Sequence, residues 1–199
     1  MIGIIDYGAG NLFSMRNALV RQGCNVRICS KPEEIGNAKG LVIPGVGSFS
    51  VAAERIKRFS SAIRAYLESS IPVLGICLGL QLVFEFSEEG NKEGLGFIPG
   101  RIRRFPRTIR VPHMGWNQIK TLTDSPILEG LDESSWFYFA HSYFAEPNAD
   151  SVVLAETEHG VRFPSIVEHG TFFGTQFHPE KSGSDGRKIL SNFLDIMEG

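Results

Sequence analysis

The chain has 199 residues, 42% of them hydrophobic and 21% charged, with a formal net charge of -2. These values fit a compact globular protein with a sizeable core and exclude a collagen-like or disordered chain. The near-neutral balance gives no electrostatic reason to expect nucleic acid or an anionic membrane as partner, and no apolar run approaches the roughly 18 residues of a membrane-spanning helix.

Cys24, Cys29 and Cys77 form no CxxC pair, and residues 1–6 lack the basic start and apolar stretch of a signal peptide. A reducing cytoplasm is the expected compartment. Ile2–Ile5 reads as a first strand. Asn11 caps a helix with Met15, Ala18 and Leu19 at helical spacing, and Gly23 ends it before a second strand over Val26–Cys29. Leu41–Ile43 makes a third strand, ending at Pro44. Ile56, Phe59, Ile63 and Leu67 recur at steps of three and four, which predicts one helix over residues 51–69. Residues 72–76 read as the next buried strand, and Leu82, Val83 and Phe84, after Gly79, suit another helix.

This alternation predicts the α/β class, with a central, mostly parallel sheet flanked by helices. Beyond Gly94 the segments shorten and carry Arg, Pro and aromatics, which predicts antiparallel strands at residues 101–105, 136–140, 151–155 and 165–168. Arg101, Arg103, Arg104, Arg107 and Arg110 cluster there, and alternation with Ile102 fits the solvent face of a strand. A last helix follows Ser184, with Ile189, Leu190, Phe193 and Leu194 on one face. No repeat or linker divides the chain, so residues 1–199 read as a single domain.

Gly75-Ile76-Cys77-Leu78-Gly79 sets a thiol between two glycines at a strand-to-helix junction, the arrangement of a nucleophile elbow. So tight a turn leaves no room for side chains on either side. The helix start favours a thiolate, and the same bend aims the Leu78 N–H at a developing oxyanion. Most single cysteines are merely small buried hydrophobes. The reading gains its weight from Gln176-Phe177-His178-Pro179-Glu180. In an extended segment His178 and Glu180 project to the same side, so the imidazole can serve the thiol while the carboxylate orients it.

Pro44-Gly45-Val46-Gly47 follows a strand, where it either presents backbone N–H groups to a ligand or makes a plain turn. Gly8-Ala9-Gly10-Asn11-Leu12-Phe13 begins like a dinucleotide loop but carries Phe13 where a third glycine is wanted, which rejects nucleotide binding there. His113, His141, His159 and His169 are scattered without the spacing of a closed zinc site, so no metal or other cofactor is expected.

Together with Asp6-Tyr7-Gly8-Ala9-Gly10-Asn11-Leu12 and Pro112-His113-Met114-Gly115-Trp116-Asn117, these motifs resemble the class I (triad-type) glutamine amidotransferases. Over the whole length the chain is similar to the glutaminase-subunit branch that serves imidazole glycerol phosphate synthases in histidine biosynthesis. The elbow and His-Pro-Glu belong to the class, and the His-Met-Gly-Trp-Asn stretch to that branch.

The resemblance implies that Cys77 attacks the side-chain amide of L-glutamine, His178 protonates the departing ammonia and Glu180 holds His178. It implies an oxyanion hole from Leu78 and the Val46–Gly47 peptide, which turns into position when the partner is active. Gly45, Gln81, Glu89, Ser142 and Tyr143 fall where the family holds glutamine, with a solvated helix face as the alternative for Gln81 and Glu89. It further implies a (β/α)8-barrel cyclase subunit as partner in a 1:1 heterodimer, receiving the ammonia, with Met114, Trp116, Asn117 and Lys181 at the interface. Burial of Trp116 in the chain's own core is the alternative there. A glutaminase subunit for another synthase and a γ-glutamyl hydrolase on the same scaffold remain the competing readings.

Overall fold

The computed structural model describes residues 1–132 and 134–199. Its strands are β1 (Ile2–Ile5), β2 (Val26–Cys29), β3 (Leu41–Ile43), β4 (Val73–Ile76), β5 (Phe84–Ser87), β6 (Lys92–Glu93), β7 (Ile98–Arg104), β8 (His113–Gln118), β9 (Lys120–Thr121), β10 (Trp136–His141), β11 (Tyr143–Pro147), β12 (Val153–Glu158), β13 (Arg162–His169) and β14 (Phe172–Thr175). The helices are α1 (Leu12–Arg21), α2 (Phe49–Ile56), α3 (Ser60–Glu68), α4 (Leu78–Gln81) and α5 (Gly183–Glu198).

An eight-stranded sheet runs β2-β1-β3-β4-β14-β13-β12-β9. Its first five strands are parallel, and β13, β12 and β9 follow antiparallel. Alternate residues of the parallel strands feed two cores, as the period of two requires. Ile2, Ile4, Val42, Leu74 and Ile76 pack in one cluster with Met15 and Leu19 of α1 and Ile189 and Phe193 of α5. Ile5, Leu41, Ile43 and Val73 pack in the other with Ala52, Ile56 and Ile63 of α2 and α3. A four-stranded sheet, β11-β7-β5-β6, and a two-stranded one, β10-β8, complete the architecture.

The first three strands lie where the sequence places them, and Asn11 caps α1 by accepting from the Ser14 N–H at 3.1 Å. The helix expected over residues 51–69 is two helices joined by a 3-10 turn at Lys57–Phe59. The tighter turn keeps Ile56, Phe59 and Ile63 all buried. The helix begins at Phe49, leaving Val51 half-exposed. The helix expected through Leu82, Val83 and Phe84 is absent. α4 stops at Gln81 and β5 starts at Phe84, because the Leu82 and Val83 carbonyls accept from the N–H groups of Leu95, Phe97 and Ile98 and not from a following helical turn. Arg101 and Arg103 do line an exposed strand face, where Glu146 accepts from them at 2.6 and 2.7 Å.

The parallel strands β1, β3, β4 and β14 end on one edge of the sheet, and their last residues lead into Tyr7, Pro44, Cys77 and Gln176. The β4–α4 turn closes there by backbone contact. A Cβ on Gly79 would overlap the carbonyl oxygen of Ile43, and one on Gly75 would stand 2.7 Å from the Phe172 ring. Gly79→Ala is therefore expected to destabilise the fold by about 1–3 kcal/mol, the ordinary cost of overpacking, read as a lower urea midpoint at unchanged slope.

Candidate active site

Cys77 follows the last residue of β4 and precedes the first of α4, at φ 52° and ψ -104°. The conformation is strained for a residue with a side chain. It is held by a hydrogen bond from the Cys77 N–H to the Thr175 carbonyl at 2.7 Å. The sulfur is almost wholly buried. It lies 3.6 Å from Gln176 Nε2 and 3.9 Å from the Ala140 carbonyl, which accepts from the thiol.

His178 and Glu180 meet through a 3-10 turn over Pro179–Lys181, not along the extended segment expected from the sequence. His178 itself is extended and the turn begins directly after it, which brings the carboxylate to the Nδ1 edge of the ring. Nδ1 donates to Glu180 Oε1 at 2.9 Å, with both side chains buried. The turn is pinned because the His178 N–H donates to the Tyr138 carbonyl at 2.9 Å and Ser182 Oγ donates to the His178 carbonyl at 2.6 Å. Nε2 is buried and makes no hydrogen bond of its own. Burial opposes charge on His178, but the Cys77 sulfur and the Glu180 carboxylate outweigh it and push the imidazolium pKa up to about 10.

A cavity of about 210 Å³ opens onto the sulfur. Of the residues singled out in the sequence, Val46, Gly47, Leu78, Gln81, Glu89, Ser142 and Tyr143 all line it. Gly45 does not. It lies beneath the elbow, where a Cβ would meet Leu78 Cβ and the Gly79 nitrogen at 2.6 Å. Gln81 ends α4 and is buried, and Glu89 stands in the turn after β5, so neither occupies a solvated helix face. Tyr7, to which the sequence reading gave no separate role, secures the loop: its hydroxyl donates to the Pro44 carbonyl at 2.6 Å. Burial, with Cys77 second, pushes its ionisation far above the ordinary phenol range.

Met114 and Trp116 are exposed, at 66% and 52%, so Trp116 is not buried in the core. They share one face of the β8–β10 pair with Trp136 and Tyr138. Trp116 meets Tyr138 edge-on at 6.2 Å, and the Lys181 ammonium sits 5.7 Å from the Tyr138 ring centre. Asn117 departs from the interface expectation because the strand alternation turns it inward. Its amide donates to His113 Nε2 at 3.2 Å and to the Glu158 carbonyl at 3.0 Å.

The histidines that look scattered in sequence are gathered, except His169. His113 and His141 are direct partners in the β8–β10 register, and His159 stacks on His113 at 4.2 Å. The Tyr143 carbonyl can only accept, so His141 carries its proton on Nδ1 and donates there at 2.8 Å. His141 Nε2 then accepts from His113 Nδ1 at 3.0 Å, leaving His113 Nε2 to accept from Asn117. These lone pairs are spent inside the protein.

The class-I glutamine amidotransferase family model matches residues 3–197. The chain belongs to the class-I glutamine amidotransferase family. Among curated relatives, the imidazole glycerol phosphate synthase subunit HisH of Geobacillus kaustophilus is 48% identical across 100% of this chain and 98% of its own length. The HisH subunit of Archaeoglobus fulgidus is 45% identical across 100% of both. In fold, this amidotransferase matches a crystal structure of a glutamine amidotransferase with TM-score 0.77 at 20% identity, over 100% of this chain and 99% of that one. It matches PurLQS from Thermotoga maritima with TM-score 0.78 at 18% identity, over 98% and 97%.

Burial first, then the neighbouring His159, holds the His113 pKa at about 4, and burial holds that of His141 at about 3. Both groups bind protons more readily when the amidotransferase unfolds. Their contribution to stability is complete above the unfolded histidine value of about 6.5 and is lost as the pH falls towards 4 and then 3. The urea midpoint is expected to drop across that window, with a shallower drop in His141→Gln.

Proposed function

We propose that this chain is the glutaminase subunit of an imidazole glycerol phosphate synthase, releasing ammonia from L-glutamine for a cyclase subunit. The observation that carries the chemistry is the Cys77 sulfur at the wall of a cavity, with the buried His178–Glu180 pair acting on it from behind. The choice of synthase rests on the full-length relatives named HisH.

In this reading the Cys77 thiolate attacks the amide carbon of glutamine. The developing oxyanion takes hydrogen bonds from the Leu78 N–H, which has no intrahelical partner at the helix start, and from the Val46–Gly47 peptide. His178, charged beside Glu180, gives its Nε2 proton to the leaving nitrogen, so ammonia departs and a glutamyl thioester remains. Neutral His178 then takes a proton from water, the hydroxide attacks, and glutamate leaves with the sulfur restored. Glu89 and the backbone of Ser142 and Tyr143 line the far wall and hold the amino-acid end of the substrate.

Ammonia released into water would be protonated and diluted, so the product needs a sealed exit. Met114 stands both at the cavity wall and on the exposed apolar face with Trp116, Trp136 and Tyr138. Exposed apolar patches of this kind mark interaction sites. A (β/α)8-barrel cyclase docks there in a 1:1 heterodimer, with Lys181 meeting an acidic group. Residues 1–199 act as one amidotransferase domain, in the cytoplasm; no helix among the described residues is long and apolar enough to cross a membrane.

Glutamate release from glutamine is expected to be slow for the chain alone and to rise strongly with a cyclase holding its ribonucleotide. Cys77→Ala should lower kcat by at least roughly a thousandfold. Fast turnover indifferent to any cyclase, or turnover of γ-glutamyl peptides instead of glutamine, would refute the assignment. Trp116→Ala should weaken cyclase association at least about tenfold by titration calorimetry, as loss of a central aromatic anchor does, while leaving the melting temperature unchanged.

A further inference from the structure

We propose that Gln176 is a further catalytic residue, whose side-chain amide donates a hydrogen bond to the Cys77 sulfur while Gln81 fixes the orientation of that amide. The proposal rests on the reading of Cys77 as nucleophile. Gln176 follows Thr175, the last residue of β14, which pairs in parallel with Ile76, so the register sets Gln176 beside Cys77. It is fully buried. A primary amide in such a position costs several kcal/mol unless its hydrogen bonds are met.

Those bonds define the geometry. The Tyr143 carbonyl can only accept, so the end of Gln81 that reaches it at 2.9 Å is the NH2 group. The other hydrogen of that group goes to Gln176 Oε1 at 3.1 Å. Gln176 Nε2 is thereby turned to the sulfur, at 3.6 Å. The reverse orientation would set an amide oxygen against the sulfur and oppose two NH2 groups. The Tyr143 carbonyl, held from its other side by His141, anchors the series.

A fixed donor at the sulfur acts twice in the cycle. It stabilises the thiolate before attack and sets the direction from which sulfur approaches the amide carbon. When water adds to the thioester, a carbon–oxygen bond forms and the carbon–sulfur bond breaks. The electron pair returns to sulfur, where the Gln176 N–H receives it, and the proton from water goes to His178. Gln81 also lines the cavity, so the residue that orients this donor borders the substrate site.

The test is alkylation of Cys77 by iodoacetamide in the full chain, without glutamine, from about pH 4 to about pH 10. Gln176→Met is expected to move the midpoint of the rate profile upward by about one pH unit. Gln176→Glu, matched in size, moves it the same way because a carboxylate opposes negative charge on sulfur. Gln81→Met, which frees the amide to turn, moves it upward too, and the double variant Gln81→Met/Gln176→Met moves it no further than Gln176→Met. Tyr7 and His178, which are coupled to this sulfur, and Glu89 and His141 of the same cavity are the same in every variant, and Gln176→Glu alone adds a carboxyl group beside it. A Gln176→Met or Gln176→Glu profile that coincides with the parent overturns the proposal. If neither variant folds, an unmoved Gln81→Met profile overturns it. Alkylation needs no glutamine, so failure of the glutaminase reading would appear separately, as absent glutamate release with the profile shifts intact.

Discussion

Cys77 is held at φ 52° and ψ -104°, a conformation that costs a residue with a side chain about 1–3 kcal/mol. Close packing around it over-determines the bend. Gly45 lies against the Gly79 nitrogen, Gly79 against the Ile43 carbonyl, and Gly75 against Phe172 and Gly79, with no space for a Cβ at any of the three. Strands β3, β4 and β14 are thus locked edge to edge at the point where the sulfur leaves the sheet. The rest of the site is arranged from that fixed origin. β14 carries Gln176 and His178 in at one side, and β3 carries the Pro44–Gly47 loop in at the other.

Burial acts on all the inward imidazoles in the same sense, against charge, yet they end in opposite states. His178 has a carboxylate on one side and the sulfur on the other, and the two outweigh desolvation. His113 and His141 have no carboxylate beside them, and the neighbouring imidazoles, His178 among them for His141, add to desolvation, so they stay neutral. Neutrality suits their position, since an uncharged His141 can donate to the Tyr143 carbonyl while accepting from His113. One protein interior therefore keeps a charged imidazole beside the sulfur and neutral rings along the cavity wall, divided by the placement of one sulfur and one carboxylate.

Much of this was legible in the residues. β1 and β3 are short buried apolar runs, β2 is a largely exposed edge strand bounded by turn residues, and the limits of all three survive intact. The elbow was readable because its glycine spacing is dictated by backbone contact and not by distant partners. The pairing of His178 with Glu180 was readable as a spacing, although a 3-10 turn achieves it where a strand was expected. What failed was set by tertiary contact. Leu82, Val83 and Phe84 are equally compatible with helix and strand until pairing with the segment that leads into β7 decides. β14 is four buried residues stabilised by β4 and β13, with no signal of its own. The histidine cluster depends on a β8–β10 register that pairs residues 113 and 141 across a long separation, and Asn117 turns inward only once that register is set. Gln176 stands inside a legible motif, but its contact with the sulfur depends on the orientation of two amides.

The β8–β10 pair joins the exposed aromatic face to the cavity that holds the sulfur. Its outer face carries Met114, Trp116, Trp136 and Tyr138, and its inner face carries His113, Phe139 and His141. Inner and outer residues alternate along the same two strands, so neither face can shift while the other stays. The Tyr138 carbonyl also accepts from the His178 N–H, and the Ala140 carbonyl from the Cys77 thiol. The strand that offers aromatic surface to solvent is therefore the strand on which the His178 imidazole and the Cys77 sulfur rest. Any body that covers the outer face bears directly on the backbone that aligns them.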